Sequence, residues 1–185
     1  MTVLEEVVKM NRPPVLFIGS GIPKRYLYKY PSWQELLEMS FAKFEQDPFQ
    51  YQKHIDSCKR KNMSDFETNI YMGSLIENEF NNAFFDRKIR MNIGNKNNPS
   101  WVKRGISPYK MYLADFFKKQ KLNRSPKLQE ELLKLKNLKN KVSAIITTNY
   151  DTFLEKYVFP NDFKVFVRQH ELFSADSYDI AEIYK

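Results

Sequence analysis

The sequence predicts an α/β fold in which a mostly parallel sheet carries a large helical insertion. Two short apolar runs, 14–18 and 142–148, have the composition of buried strands in a parallel sheet. The stretch between them shows helical patterns and capping residues. A helical segment at 152–159 and two strand-like segments, 163–167 and 180–185, complete the chain. Helices that alternate with strands favour a parallel α/β sheet.

The size and composition place the chain among globular proteins. Its 185 residues correspond to one domain, or to one domain with a large insertion. Hydrophobic residues make up 42% and aromatic residues 15%, which argues against disorder. No apolar run approaches the ~18–20 residues of a transmembrane helix, and the acidic N-terminus is unlike a secretory signal. Cys58 is the only cysteine, which excludes a disulfide framework. We therefore expect a soluble, cytoplasmic protein.

Most of the formal net charge of +8 comes from one segment. Residues 118–141 contain nine lysines and arginines and two glutamates. One basic segment is weaker evidence for nucleic-acid binding than a basic face built from several elements. The segment also lacks the interleaved aromatic residues that single-strand binders use. We interpret 118–141 as a solvated helical face and keep nucleic-acid binding as the less favoured alternative.

Serine caps predict four helices in the middle of the chain. Ser32 and Ser64 are each followed three residues later by glutamate, as in a capping box. Ser107 and Ser125 are each followed by proline, which favours the first turn of a helix. Residues 92–105 are rich in Asn, Gly and Pro and predict a loop. The second helix is expected to bury Phe66, Ile70, Leu75, Ile76, Phe80, Phe84 and Phe85, and the fourth to bury Leu128, Leu132, Leu135 and Leu138.

The first candidate site is Gly19-Ser20-Gly21, which directly follows the first apolar run. Glycines let backbone N–H groups approach a phosphate closely, as in dinucleotide-binding turns. The chain contains only five glycines, so two of them at one strand end are informative. Lys24 stands where the third glycine of a dinucleotide-binding pattern would be. The motif alone is equally consistent with a plain tight turn.

The second candidate site follows the second apolar run. Asn149 and Asp151 leave that strand two residues apart. Open α/β sheets bind ligands outside the carboxyl ends of their strands, so both side chains can point into such a crevice. The alternative is that one of them caps the following helix, as Asn and Asp commonly do.

Together these segments resemble the sirtuin-like domain, and in particular its NAD-hydrolysing branch in bacterial anti-phage defence proteins. The resemblance rests on Val15-Leu-Phe-Ile-Gly-Ser-Gly21, Tyr30-Pro-Ser-Trp-Gln-Glu-Leu-Leu37 and Ile145-Ile-Thr-Thr-Asn-Tyr-Asp151. It implies a Rossmann-like, mostly parallel sheet into which a helical segment, approximately 45–140, is inserted.

The resemblance also implies how NAD, here a substrate, would bind. Gly19, Ser20 and Gly21 would meet its diphosphate, and Thr148 would line the loop that carries Asn149 and Asp151. Trp33 could flank the NAD pocket, although we favour the other role for it, which is to anchor a helix start in the core.

The implied catalytic residues lie after the second strand. Asn149 would hold water or ribose near the nicotinamide glycosidic bond, and Asp151 would organise the nicotinamide side of the pocket. The family's His-Gly pair is not in this sequence, and we expect it beyond Lys185. His170 precedes Glu171 rather than glycine and is not assigned that role.

The resemblance implies an NAD+ hydrolase that releases nicotinamide and ADP-ribose or cyclic ADP-ribose, and that depletes NAD in anti-phage defence. The resemblance implies homo-oligomers and a sensor domain or partner protein. Because no apolar run is long enough for a transmembrane helix, we expect no membrane partner. Two histidines in unrelated contexts predict no metal site. An NAD-dependent protein deacylase is a weaker alternative, because Lys24-Arg25-Tyr26 replaces that branch's Asp-Phe-Arg. A non-catalytic module that binds NAD, ADP-ribose or nucleic acid is the third.

Overall fold

The computed structural model describes residues 13–91, 102, 105–166 and 182–184. The chain divides into two compact units. The first unit combines Met1–Tyr30 with Gln120–Lys185, and the second is the continuous segment Pro31–Lys119. The helical insertion expected at about 45–140 overlaps this second unit.

The first unit contains a parallel sheet. Its strands are β1 (Val15–Ile18), β2 (Ala144–Thr147), β3 (Lys164–Phe166) and β4 (Glu182–Tyr184), in the order β1-β2-β4-β3. All three pairings are parallel. The mixed α/β class and the parallel sheet predicted from the sequence are therefore confirmed.

The two faces of this sheet differ in exposure. Ile18, Ile145 and Thr147 are at most 6% exposed, whereas Phe17 is 70% and Ile146 39% exposed. Phe17 and Ile146 are partners in the register and so share a face. The expectation that both apolar runs are buried strands is wrong for this face. A continuous apolar run does not indicate which of its two faces the rest of the chain covers.

Within the residues that the structure describes, six α-helices and a π-helix accompany the sheet. Leu27 and Leu122 form an isolated antiparallel bridge in the first unit, and Tyr28 N–H donates to the carbonyl oxygen of Lys121 at 2.8 Å. The segments that lead into and out of the second unit are thus hydrogen-bonded to each other. The helices are α1 (Gly21–Tyr26), α2 (Trp33–Phe41), α3 (Pro48–Arg60), α4 (Asp65–Phe85), α5 (Pro108–Lys118), α6 (Pro126–Lys136) and the π-helix (Leu154–Val158).

The second unit is a helical bundle around α4. This helix packs against α2, α3 and α5. Helix α3 was not singled out by the sequence analysis, although Asp47 caps it and Pro48 occupies its first turn. The apolar core of the unit consists of Leu37, Phe41, Tyr51, Met72, Ile76, Phe80 and Tyr109.

Three of the four predicted serine caps are confirmed. Ser32 and Ser64 form complete capping boxes, and the Ser107 side chain accepts a backbone N–H bond at the start of α5. Ser125 precedes α6 without a side-chain cap. There Asn123 accepts the Ser125 N–H at 3.2 Å, so the asparagine rather than the serine closes the turn.

The buried stripe of α4 is narrower than the sequence predicted. Phe66, Ile70 and Phe85 are 74%, 55% and 60% exposed. At 3.6 residues per turn they lie about 80° or more around the helix from Ile76, so they fall off the packed stripe. The buried residues of α4 are Met72, Ile76, Phe80 and Ala83.

Helix α6, which belongs to the first unit, forms the middle of the basic segment 118–141. Leu132 is buried, whereas the other leucines of the expected stripe, Leu128, Leu135 and Leu138, are only partly buried. Lys127 and Lys134 are exposed.

Among the described residues, no helix combines the length and the apolar character needed to cross a membrane. The loop expected at 92–105 lies outside the described residues except at its last positions.

Candidate functional site

The ends of β1 and β2 lie side by side in the first unit. Ile18 is the register partner of Thr147, and the Thr147 hydroxyl donates to the Ile18 carbonyl oxygen at 2.7 Å. The same hydroxyl oxygen accepts the backbone N–H of Asn149 at 3.1 Å. Because the strands are parallel, the glycine turn after Ile18 and the loop after Thr147 leave the same edge of the sheet. The structure thus brings the two predicted site segments together.

Asn149 is buried with an unused donor. It is 8% exposed, and its Nδ2 has no hydrogen-bond partner in the part of the chain that the structure describes. A buried polar group without a partner costs about 1–3 kcal/mol. An acceptor supplied by a bound molecule would remove that cost.

Asp151 is held on both oxygens. Its Oδ1 accepts the backbone N–H of Phe153 at 2.8 Å, and its Oδ2 accepts the Tyr30 hydroxyl at 2.8 Å. The residue is 4% exposed. Asp151 therefore closes a turn immediately before the helical segment that follows, whose N-cap residue, Phe153, has no side-chain cap bond.

Tyr30 belongs to this site, although the sequence analysis did not select it. Burial, followed by the charge and hydrogen bond of Asp151, raises the pKa of the Tyr30 phenol above its usual range. The phenol therefore stays protonated and remains a donor at physiological pH. Nothing in the sequence separates this tyrosine from the other ten as the partner of a distant carboxylate.

The glycine turn leaves open space beside the backbone. Neither Gly19 nor Gly21 has a positive φ, and a Cβ added to either would meet no heavy atom within 4 Å. The fold therefore does not require glycine at these two positions. Ser20 between them is exposed. A ligand could approach the main chain here more closely than a side chain would permit.

The remaining predicted residues are placed differently. Thr148 is exposed in the loop after β2. Trp33 lies in the second unit as the first residue of α2 and is 47% exposed, so the prediction that it anchors a helix start in the core is wrong. Cys58 is 2% exposed within α3, and His54 is half-buried in the same helix. His170 lies outside the described residues.

The chemistry of this site is that of binding through an amide and an open turn. No group of three or more His, Cys, Asp or Glu suited to a metal ion occurs among the described residues. Asn149 offers an amide donor, and the glycine turn offers accessible main chain. Asp151 supplies a buried carboxylate whose position is fixed by two donors.

No protein-family model matches the chain, and no curated protein matches its sequence.

Proposed function

We propose that the first unit is a Rossmann-like NAD+ hydrolase domain that cleaves NAD into nicotinamide and ADP-ribose or cyclic ADP-ribose. The buried, unsatisfied amide of Asn149 beside the glycine turn is the observation that carries this proposal. The resemblance of the two strand-end motifs to sirtuin-like domains supplies the substrate. In this proposal the protein acts in the cytoplasm as an oligomer with a sensor, and depletes NAD during anti-phage defence.

The glycine turn supports a ligand that approaches the backbone closely. In a chain with five glycines, two stand in this turn although neither backbone angle nor packing requires them. A diphosphate is a ligand that uses this kind of approach, because main-chain N–H groups can donate to its oxygens. Gly19, Ser20 and Gly21 would receive the diphosphate of NAD, and Thr148 would line the loop that carries Asn149 and Asp151.

Asn149 supports a ligand acceptor at the carboxyl edge of the sheet. Ligands of open α/β sheets bind at this edge. The Nδ2 donor would hold a ribose hydroxyl oxygen or a water molecule near the glycosidic bond. Holding the reacting groups in place in a site with little water is a large part of how such a residue accelerates a reaction.

The proposed reaction breaks the bond between the ribose C1′ and the nicotinamide nitrogen. The electron pair of that bond leaves with nicotinamide, which departs neutral and needs no proton on that nitrogen. Positive charge develops on the ribose ring. In the linear product the oxygen of a water molecule bonds to C1′, and in the cyclic product a ring nitrogen of the substrate's own adenine bonds to C1′ instead. Water then loses a proton to solvent. Amide dipoles and a nearby carboxylate can stabilise the developing positive charge.

Asp151 contributes by its position as well as by its charge. Its two oxygens are held by Tyr30 and by the Phe153 N–H, so the carboxylate does not turn freely toward a ligand. We therefore assign Asp151 to organising the nicotinamide side of the pocket through the loop that also carries Asn149.

Binding without turnover is the second candidate function. An unsatisfied amide and an open glycine turn would serve a sensor of NAD or ADP-ribose as well as an enzyme. The release of nicotinamide distinguishes the two functions, because only the hydrolase produces it.

The test is NAD consumption with chromatographic identification of the products. Wild type is expected to release nicotinamide together with linear or cyclic ADP-ribose, and Asn149→Ala to lose at least about 100-fold in rate. The matched control is Asn140→Ala, which changes an exposed asparagine of the same unit and should keep full activity. NAD binding without nicotinamide release would identify the sensor. Undiminished turnover in Asn149→Ala would refute the role assigned to Asn149.

A further inference from the structure

A cavity of about 360 Å³ lies in the second unit. Its walls come from the segment after α2, from α4 and the chain just beyond it, and from α5. This volume falls near the lower end of the ~300–1,000 Å³ that small-molecule pockets occupy. All the residues of the strand-end site to which we assign NAD chemistry lie in the first unit, so the second unit contributes none of them.

Positive charge dominates the wall of this cavity. Lys43, Lys88, Arg90 and Lys119 line it, and Asp115 is the one carboxylate among its described lining residues. Asp115 already accepts a hydrogen bond from Lys119. Cations gathered around one cavity repel each other, and an anion between them removes that repulsion.

Two of the four cations have no acidic partner among the residues that the structure describes. Within the described part of the chain, no carboxylate pairs with Lys43 or Arg90, whereas Lys88 lies 3.0 Å from Asp86. The Lys43 Nζ lies instead 5.9 Å from the centroid of the Tyr112 ring. Lys43 and Arg90 are therefore available to an anion that enters the cavity.

The apolar part of the wall is aromatic. Phe80 is 1% exposed, and its ring centroid lies 5.2 Å from that of Tyr112 at an interplanar angle of 34°. Burial raises the pKa of the Tyr112 phenol, so this ring stays neutral and adds no negative charge beside the cations. An unsaturated ring placed against Tyr112 would contact both an aromatic surface and neighbouring cations.

We propose that this cavity binds a mononucleotide, with its phosphate between Lys43 and Arg90 and its base against Tyr112. Phosphate suits this pair because a guanidinium donates to it through two parallel bonds and an ammonium adds a point charge. A base suits the aromatic wall because stacking is favourable and tolerant of base identity. The site stands on the second unit alone and is independent of NAD hydrolysis.

The experiment is a calorimetric titration of the whole chain with AMP at near-physiological salt. We expect saturable binding of one AMP per chain, weakened at least about tenfold in the double variant Lys43→Gln/Arg90→Gln, which removes two charge-assisted contacts. The matched control, Lys53→Gln/Arg60→Gln, removes the same charge from exposed positions on α3 and should bind AMP as wild type does. Thermal melting of each variant establishes that it is folded.

Three further titrations separate the parts of the proposal. Adenosine and inorganic phosphate should each bind at least about tenfold more weakly than AMP, and Tyr112→Leu should weaken AMP more than phosphate. The proposal is overturned if AMP does not bind, if both double variants bind it equally, or if phosphate alone binds as tightly. Binding of an oligothymidylate but not of AMP would also overturn it, in favour of a single-stranded nucleic acid.

Discussion

The Tyr30 hydroxyl donates to Oδ2 of Asp151 at 2.8 Å, across 121 residues of sequence. Both side chains are at most 8% exposed. The bond joins the residue that immediately precedes the second unit to the loop that carries Asn149. It therefore connects the segment that leads into the second unit to the loop of the candidate site.

Removal of this hydroxyl should destabilise the protein measurably. Tyr30→Phe leaves one oxygen of a buried carboxylate without its donor, which we expect to lower the free energy of unfolding by about 1.5–3 kcal/mol. Tyr28→Phe, at a position that is 59% exposed, is the control and should change it by less than about 0.5 kcal/mol. Urea denaturation measures both. Equal stability of the two variants would show that the bond contributes nothing.

The same pair predicts a pH dependence. The folded-state pKa of Tyr30 is raised above its unfolded value by burial and by Asp151. Its contribution to stability is therefore fully present below about pH 10, the usual tyrosine pKa, and is lost as the pH rises from there toward the folded pKa. We expect the stability difference between wild type and Tyr30→Phe to be constant from about pH 7 to 9 and to shrink above about pH 10. A difference that already falls between about pH 7 and 9 would contradict this assignment.

Two serines that the sequence predicts to cap helices should respond differently to alanine. Ser64→Ala removes a capping box at α4 and should cost about 1 kcal/mol of stability. Ser125→Ala should change stability little, because its side chain makes no capping bond at α6. Thermal unfolding of the two variants under one condition tests the difference. A larger loss for Ser125→Ala would mean that the Asn123 turn does not replace the serine cap.

The glycine turn should tolerate a methyl group but lose its ligand. Gly19→Ala meets no atom within 4 Å and keeps a permitted φ, so its melting temperature should stay within about 2 °C of wild type. If the NAD diphosphate lies against this backbone, NAD affinity should fall at least about tenfold. Calorimetry with NAD measures the loss. Unchanged NAD binding would place the ligand elsewhere.

Gly73 provides the contrasting glycine. It lies inside α4, where an added Cβ would come no closer than 4.0 Å to a side-chain atom of Leu37. Gly73→Ala should therefore stabilise the protein by about 0.5–1 kcal/mol through helix propensity, with NAD binding unchanged. A destabilised variant would show that the contact with Leu37 is tighter than ordinary packing.

The sequence predicted those features that depend on neighbouring residues. The apolar runs predicted β1 and β2, and the serine–glutamate spacing at Ser32 and Ser64 predicted two capping boxes. The meeting of the glycine turn with Asn149 also followed, because parallel strands place their carboxyl ends at one edge of the sheet.

The sequence did not predict features that depend on distant packing. The Tyr30–Asp151 bond joins residues far apart in the chain, and no local pattern marks it. The exposed sheet face with Phe17 and the exposed Phe66 on α4 also depend on where other elements pack. For the same reason Trp33, an aromatic residue at a helix start, could not be distinguished from a core residue.

The bond between Thr147 and Ile18 spans 129 residues, and the continuous second unit lies between them. During synthesis the second unit can therefore be complete before β2, the partner strand of β1, has been made. We therefore expect the inserted second unit to fold first on the ribosome and the sheet of the first unit to fold last. Until β2 emerges, the apolar β1 is an unpaired strand, and this interval is when the nascent chain is most exposed to aggregation and most dependent on chaperones.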